Sequence, residues 1–474
     1  MDFADALAGL PGVTVLSADA DKAGHLMDFR QRYRGEALAV VLPSSTEAVA
    51  ACIRLCAAHG VRIFPQGGNT SLCGGSVPPA AGDQAIVLNL SRMNAVLAID
   101  ATDNAITVQA GCILQDVQEA AAGVGRLFPL SLGAEGSCQI GGNIATNAGG
   151  TGVLRYGNMR DLVLGLEVVL PSGEIWNGLQ ALRKNNTGYD LKGLFIGSEG
   201  TLGIITAATL KLFPRPRHCL TAMLAIGAIG TAVAVARDIQ VAFAGDVTAL
   251  ELLSGGQYAM VLQHIAGAQD PLATAGDWYV LIELSAQADE AVLAERLSDV
   301  LAAGLADGTI RDAAIATSER QRQAMWHLRH HAAEANRRAG MGLTHDVAVP
   351  LARIPDFVER AGNLVTSLHS QASPLVIAHL GDGNLHYIAM FARENWAQVV
   401  DGPALVATIA EAIHDLAVEL GGTFSAEHGI GRLRLNEMRR YKSPVELALM
   451  RGIKALVDPL DLMNPGRVLP GFRQ

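Results

Sequence analysis

The chain has 474 residues, of which 50% are hydrophobic and only 17% charged, so it can build large cores and is not a disordered tail. A formal charge of −10, with no run of Lys or Arg, excludes a nucleic-acid surface. The length allows two to four domains at about 100–200 residues each. Six cysteines (Cys52, Cys56, Cys73, Cys112, Cys138 and Cys219) form no CxxC pair. They read as small buried hydrophobes in a reducing compartment, and the expected location is cytoplasmic.

The N-terminal MDFADALAGLPG has no basic segment ahead of an apolar one, as a secretory leader would. Residues 37–65 read as strand, helix and strand: ALAVVLP, TEAVAACIRLCAAHG and VRIFP. Helical spacing puts Cys52 and Cys56 on one face. AIVLNLS (85–91), AITVQAG (105–111) and LVLGLEVVLPSGEIW (162–176) are further strands, with a helix over ILQDVQEAAAGVG (113–125). The closely spaced prolines of FPRPRH (213–218) end this α/β layer. A second region follows. Its most apolar stretch, LTAMLAIGAIGTAVAVA (220–236), is short and broken by glycine, so it divides into strand, turn and helix and does not span a membrane. Ala-rich helices are expected over 289–304 and 319–340, and a terminal helix over 443–459.

Glycine is abundant, at 51 residues, and clusters at 67–75, 133–157, 188–203 and 421–431. Such clusters bring backbone close to a ligand. PQGGNTSLCGG (65–75) follows a strand and offers consecutive small residues whose N–H groups can form an anion-binding nest. PLSLGAEGSCQIGGNIATNAGG (129–150), RYG (155–157) and KNNTGYDLKGLFIGSEGTLGIIT (184–206) continue the pattern, as suits an extended cofactor. There is no GxGxxG fingerprint and no P-loop, which leaves a nicotinamide or ATP site unsupported. LSGGQ (253–257) looks like an ABC-transporter signature but means nothing without that loop.

The densest chemistry lies in HLGDGNLHY (379–387) and AEHGIG (426–431). A four-residue turn over Gly381–Asn384 makes His379 and His386 opposed partners, with Cβ atoms about 5 Å apart. Together with Glu427 they form a His/His/Glu ligand set that leaves a coordination position open. His428 stands beside it as a proton acceptor.

The three Gly/Asn-rich stretches, with HLGDGNLHY, AEHGIG and MNPGRVLP, resemble the FAD-linked D-2-hydroxy-acid dehydrogenases of the p-cresol methylhydroxylase/vanillyl-alcohol oxidase superfamily, from about residue 35 to 470. GNT, RMNxVL, GSCxIGGNxATNAGG and RKxNTGYDLK are closest to the D-2-hydroxyglutarate dehydrogenase branch. The resemblance implies an α+β fold. A two-subdomain FAD-binding domain of the p-cresol methylhydroxylase type (1–215) is followed by an α+β cap domain with an antiparallel sheet (216–474), and residues 460–470 return to the flavin. By motif match Pro65, Gln66, Gly67, Gly68, Asn69, Thr70 and Ser71 hold the FAD pyrophosphate. Pro129, Gly133, Ser137, Gly141, Gly142, Asn143, Asn147, Gly149, Glu199, Gly203 and Ile205 line the rest, and Asn464 approaches from the tail. No histidine in these stretches offers a covalent tether.

The resemblance gives Arg329 to the substrate's C1 carboxylate, which a guanidinium fork suits. Arg337 and Arg338 read as a solvated helix face. Three positions depart from the hydroxyglutarate branch. Thr344, in THDVAVP, replaces a Lys, Ile388 replaces an Asn, and Ala333 replaces a Thr. Each removes a polar group expected near a distal carboxylate.

The implied activity is FAD-dependent, metal-assisted oxidation of a D-2-hydroxy acid, with His428 and Arg329 catalytic. The divalent metal, on His379, His386 and Glu427, is zinc first, with manganese and iron as alternatives. Electrons go to a non-NAD acceptor such as an electron-transfer flavoprotein or a quinone. The alternatives are D-2-hydroxyglutarate dehydrogenase proper, an oxidase using O₂, and a flavin-binding subunit of a glycolate-oxidase-like complex. A homodimer is the open expectation for assembly.

Overall fold

The structure is a computed structural model that describes residues 3–80, 84–287 and 289–471; Met1 and Asp2 of the N-terminal stretch lie outside it. The chain forms two compact units. One comprises Met1–Gly150, Gly157–Arg215 and Glu427–Gln474, and the other Thr151–Tyr156 and Pro216–Ala426.

The first unit contains two main sheets. A four-stranded sheet runs in the order Val13–Leu16, Ala39–Pro43, Ala85–Asn89, Arg62–Gln66. Its last three strands are parallel, so the chain must cross over, and helix Thr46–His59 makes the crossover. Ser45 caps that helix by accepting from the Ala48 N–H at 3.2 Å, and Gly60 ends it at φ +67°. Cys52 and Cys56 share the buried face as expected, and burial pushes the Cys52 thiol up to about 12. The second sheet has five strands: Val96–Asp100, Ala105–Gln109, Ile204–Lys211, Val163–Val169 and Ile175–Gly178. It is antiparallel throughout. The expected single strand over 162–176 is therefore a hairpin, turned at Gly173 with φ +83°.

The second unit is built on a seven-stranded antiparallel sheet. The order is Asp312–Ile315, His218–Ile226, Trp278–Ala286, Val247–Ser254, Ser373–His379, Asn384–Ala392, Gly340–Ala348. Helices Ile229–Ala242, Glu290–Ala306, Ile354–Leu368 and Gly402–Glu419 pack their apolar stripes on one face. Helices Gly255–His264, Glu319–His330 and Ala332–Ala339 cover the other. The segment 220–236 is strand, turn and helix, as its glycines required. The helix expected over 319–340 is broken at His331, which takes φ −94°, ψ 7° and engages the His327 carbonyl through its ring Nδ1 at 3.0 Å. Among the described residues no helix is long and apolar enough to cross a membrane.

Candidate active site

Register decides which side chains meet in the second unit. Glu251 pairs with His379, Ile377 with His386, and His386 with Asp346. Alternate residues of a strand share a face, so Glu251, His379, His386 and Asp346 lie on the face covered by helices Gly255–His264, Glu319–His330 and Ala332–Ala339.

The hairpin corrects the expected pairing of the two histidines. His379 stands opposite Asn384, so the turn occupies 380–383 and the histidines are diagonal neighbours, with ring centroids 5.6 Å apart. The shift has a local cause. Gly383 closes the turn at φ +85°, where an added Cβ would come within 2.3 Å of the Val349 carbonyl oxygen. Asn384 belongs to the strand, because its Nδ2 donates to Asp346 Oδ1 (2.8 Å) and to the Val347 carbonyl (3.0 Å).

Glu251 joins two of the predicted residues. Its Oε2 accepts from Arg329 Nε at 2.5 Å and its Oε1 engages His379 Nδ1 at 2.7 Å. The residue is only 1% exposed. Burial pushes its carboxyl up, but the Arg329 charge and the hydrogen bonds from His379 and Arg329 outweigh that and hold it below the usual carboxylate range. A neutral His379 that donates Nδ1–H to Glu251 carries its lone pair on Nε2, the arrangement in which a carboxylate orients a ligating imidazole. Arg329 uses Nε on Glu251, and among the described residues neither terminal guanidinium nitrogen meets a hydrogen-bond acceptor.

Asp346 is the second carboxylate on this face. Besides Asn384 it accepts from the Ala426 N–H at 3.1 Å, and its Oδ1 is 3.8 Å from His386 Nδ1. Sequence reasoning gave neither Glu251 nor Asp346 a role. The available signal for Glu251 was a lone charge inside the apolar run VTALELL, since a charged residue is rarely buried without a partner. Thr344 and Ile388 oppose each other on the same face. Ala333 is exposed, and Arg338 is engaged with Glu334 (2.6 Å) and the His264 carbonyl (3.0 Å).

In the first unit, Pro65 and Gln66 end the strand Arg62–Gln66, and Gly67 to Ser71 turn immediately after it. Asn69 sits at φ +55°, held by Ser76 Oγ on its Oδ1 (2.9 Å) and by its Nδ2 on the Met27 carbonyl (2.8 Å). A Cβ on Gly68 would fall 1.9 Å from the Ser137 carbonyl oxygen, so the first two Gly-rich stretches touch through backbone. Gly141, Gly142 and Asn143 lie on the short helix Ile140–Ala145, where Gly141 packs on Ala110. Pro129 is buried and Gly149 half-buried, and a Cβ on Gly133 or Gly142 would meet no protein atom within 4 Å. Asn147, at φ +49°, accepts the Arg160 N–H on its Oδ1 at 2.8 Å. Gly203 and Ile205 are buried on and beside the strand Ile204–Lys211.

The C-terminal tail closes this unit. Asn464 donates through Nδ2 to the carbonyls of Glu199 (2.7 Å) and Gly75 (3.0 Å). Lys454, buried, binds Asp458 (2.5 Å) and the Thr201 and Met463 carbonyls. Arg467 donates to the Val77 carbonyl over the Phe64 ring, and burial pushes its pKa down to about 10. Glu199, at φ +51°, accepts the N–H groups of Ile430 (2.7 Å) and Gly431 (2.8 Å) with its two carboxylate oxygens. Burial raises its pKa against those bonds and against Arg467. Glu427 and His428 are half-buried here, with His428 Nε2 3.8 Å from Glu427 Oε1.

These residues fit a dinucleotide. Buried polar atoms are almost always hydrogen-bonded, yet Gln139 Oε1, Asn143 Oδ1 and Asn464 Oδ1 are buried acceptors without a partner among the described residues. They lie on the glycine-rich stretch and the tail, where ribityl or ribose hydroxyls of FAD can donate. Gln139 itself was not singled out from sequence.

Comparison with known proteins agrees. Residues 37–178 match the family model described as "FAD binding domain", and residues 215–468 match "FAD linked oxidases, C-terminal domain". The mitochondrial D-2-hydroxyglutarate dehydrogenase of Arabidopsis thaliana is 36% identical, over 94% of this chain and 77% of its own length. The D-2-hydroxyglutarate dehydrogenase of Xanthomonas citri pv. viticola is also 36% identical, over 97% of this chain and 95% of its own. The structure of p-cresol methylhydroxylase with substrate bound superposes with TM-score 0.73 at 15% identity, covering 98% of this chain and 96% of that one, so the two share the expected α+β fold.

Proposed function

The chain belongs to the FAD-linked oxidases and is an FAD-dependent oxidoreductase, and on that premise we propose that it oxidises a D-2-hydroxy acid with a small or apolar side chain to the 2-oxo acid. The observation that carries this reading is the buried Glu251 bridge. One carboxylate ties Arg329, from a helix, to His379, from the hairpin strand, on one sheet face, which supports reading the guanidinium as the carboxylate holder and the imidazole as a metal ligand.

FAD, when bound, would supply the acceptor for the α-hydrogen and its electron pair. A divalent ion held there, zinc before manganese or iron, would lower the pKa of the substrate hydroxyl. His379, His386 and Glu427 are its proposed ligands, and the second unit adds Asp346 opposite His386 as a further carboxylate. The imidazole pair and carboxylates make a donor set suited to such an ion. Arg329 holds the C1 carboxylate through its terminal nitrogens while Glu251 fixes the guanidinium from behind. His428 takes the hydroxyl proton as the carbon–oxygen bond becomes double. Electrons then leave to a non-NAD acceptor, an electron-transfer flavoprotein or a quinone.

Anaerobic bleaching of the flavin by a panel of D- and L-2-hydroxy acids tests this directly, because it reports substrate and stereochemistry without an acceptor. D-acids should bleach it and their L-enantiomers should not. A flavin that stays oxidised with every D-acid refutes the proposal.

A further inference from the structure

The glycines of AEHGIG have a steric cause within the first unit. Gly429 sits at φ +78°, where a Cβ would lie 2.8 Å from Glu199 Oε1. Gly431 sits at φ +52°, where a Cβ would lie 2.2 Å from the Cys73 carbonyl oxygen. The segment is thus pressed against two fixed groups, and both hold it by hydrogen bonds. Glu199 accepts from the Ile430 and Gly431 N–H groups, while the Cys73 carbonyl accepts from the Arg432 N–H at 3.1 Å. Behind this contact Glu199 is itself fixed. Its N–H donates to the Ala145 carbonyl (2.8 Å), its carbonyl accepts from Asn464 Nδ2 (2.7 Å), and its backbone holds a left-handed conformation at φ +51°. A non-glycine residue adopts that conformation only where its surroundings enforce it, and such residues gather at functional sites.

Two charge-assisted bonds from one carboxylate to consecutive backbone N–H groups fix position and orientation together. They act two and three residues beyond His428, with only Gly429 between His428 and the first anchored amide. We infer that Glu199 is a positioning residue, which sets the place of the His428 imidazole by clamping the backbone of Ile430 and Gly431; the inference rests on the reading of His428 as the proton acceptor. Glu199 comes from the glycine-rich GSEGTLG, so one short segment serves both the cofactor-binding unit and the base. Asn464 ties the tail to the same point.

The test uses holoenzyme carrying Glu199→Gln. The amide keeps the size of the side chain but offers one acceptor and presents donors where an N–H must be received. The clamp predicts unchanged flavin absorbance per protein, faster hydrogen exchange at Ile430 and Gly431, and kcat down about 10- to 100-fold with little change in KM. It also predicts a displaced pKa on the acidic limb of the pH–rate profile, where a proton acceptor is lost to protonation and which a merely structural role would not move. Wild-type kcat and pH profile in Glu199→Gln overturn the inference. Glu199→Asp is the second variant, and if both lose FAD or unfold, Glu199 is scaffold and the inference also falls. His428→Ala, measured in parallel, separates the two readings. A slow His428→Ala beside a fully active Glu199→Gln removes only the positioning role, whereas a fully active His428→Ala removes the base assignment itself.

Discussion

Thr344 and Ile388 face each other across two strands, one pair removed from Asp346 and His386 on the same side of the sheet. Ile388 is 1% exposed and packs in an apolar cluster with Leu375, Ile377 and Met390. A second substrate carboxylate brought to this pair would meet a hydroxyl and an apolar side chain in place of a cation, and burying one without a partner costs several kcal/mol, roughly. The specificity constant for D-lactate or a longer aliphatic D-2-hydroxy acid should therefore exceed that for D-2-hydroxyglutarate. Thr344→Lys should raise the D-2-hydroxyglutarate value by about 10- to 100-fold, the worth of a hydrogen bond to a charged group, and leave D-lactate little changed. Steady-state kinetics with both acids decides it, and a wild-type preference for D-2-hydroxyglutarate refutes the argument. Ala333, exposed on its helix, should have no comparable effect when changed to Thr.

Glu251 makes a prediction about stability as well as catalysis. Removing one partner of a buried, hydrogen-bonded ion pair costs about 3–5 kcal/mol, so Glu251→Ala should lower the melting temperature markedly, while Arg329 and His379 lose their common anchor. The pH dependence has a definite sign. The folded-state pKa of Glu251 lies below the unfolded one, so its contribution is full above the unfolded value of about 4.3 and is lost as pH falls through the folded value. Thermal denaturation of wild type and variant should show the widest gap near neutral pH and a narrowing gap below about pH 4. A gap that widens in acid contradicts the assignment.

Local pattern made much of this molecule legible. The helix over residues 46–60 carries its own cap, apolar stripe and terminal glycine, and the structure gives Thr46–His59 with Gly60 beyond. The motif histidines His379 and His386 were found because their spacing is symmetric within nine residues. Their turn came out one residue early, and the pairing two residues off, because the symmetry of HLGDGNLHY says nothing of Asn384, whose amide is held by Asp346, 38 residues earlier in the chain. Glu251 was missed for the same reason. Its partners lie 78 and 128 residues away, and no short motif encodes a contact made by sheet register. The role of Gly429 in AEHGIG depends on Glu199, which precedes Ile430 by 231 residues.

Two glycines on neighbouring stretches should respond in opposite ways. Gly68→Ala drives a Cβ into the Ser137 carbonyl, so it should destabilise the protein with or without FAD. Gly142→Ala meets no protein atom within 4 Å, so the FAD-free protein should melt as wild type does while its affinity for FAD falls. Melting curves with and without added FAD, together with flavin titration, separate the two. Equal behaviour of the variants would mean that Gly142 does not face the cofactor. In both, and in wild type, denaturation should release the yellow colour into solution, because no tether is expected.

The last prediction separates ligands from base. A chelator should abolish turnover with little loss of FAD, because the proposed imidazole ligands belong to the second unit and the glycine-rich stretches to the first. His386→Ala should lose metal and rate together, since the imidazole is one of few strong donors on that face. His428→Ala should keep both metal and FAD and lose rate by about 10²–10⁴-fold, as removal of a general base does. Metal per flavin, measured by atomic emission beside kcat, distinguishes the two. If metal content falls in His428→Ala in step with the rate, His428 is a ligand and the proton must go elsewhere. Full activity of the metal-free enzyme would remove the ion from the mechanism altogether, leaving Arg329 and Glu251 to orient the substrate without it.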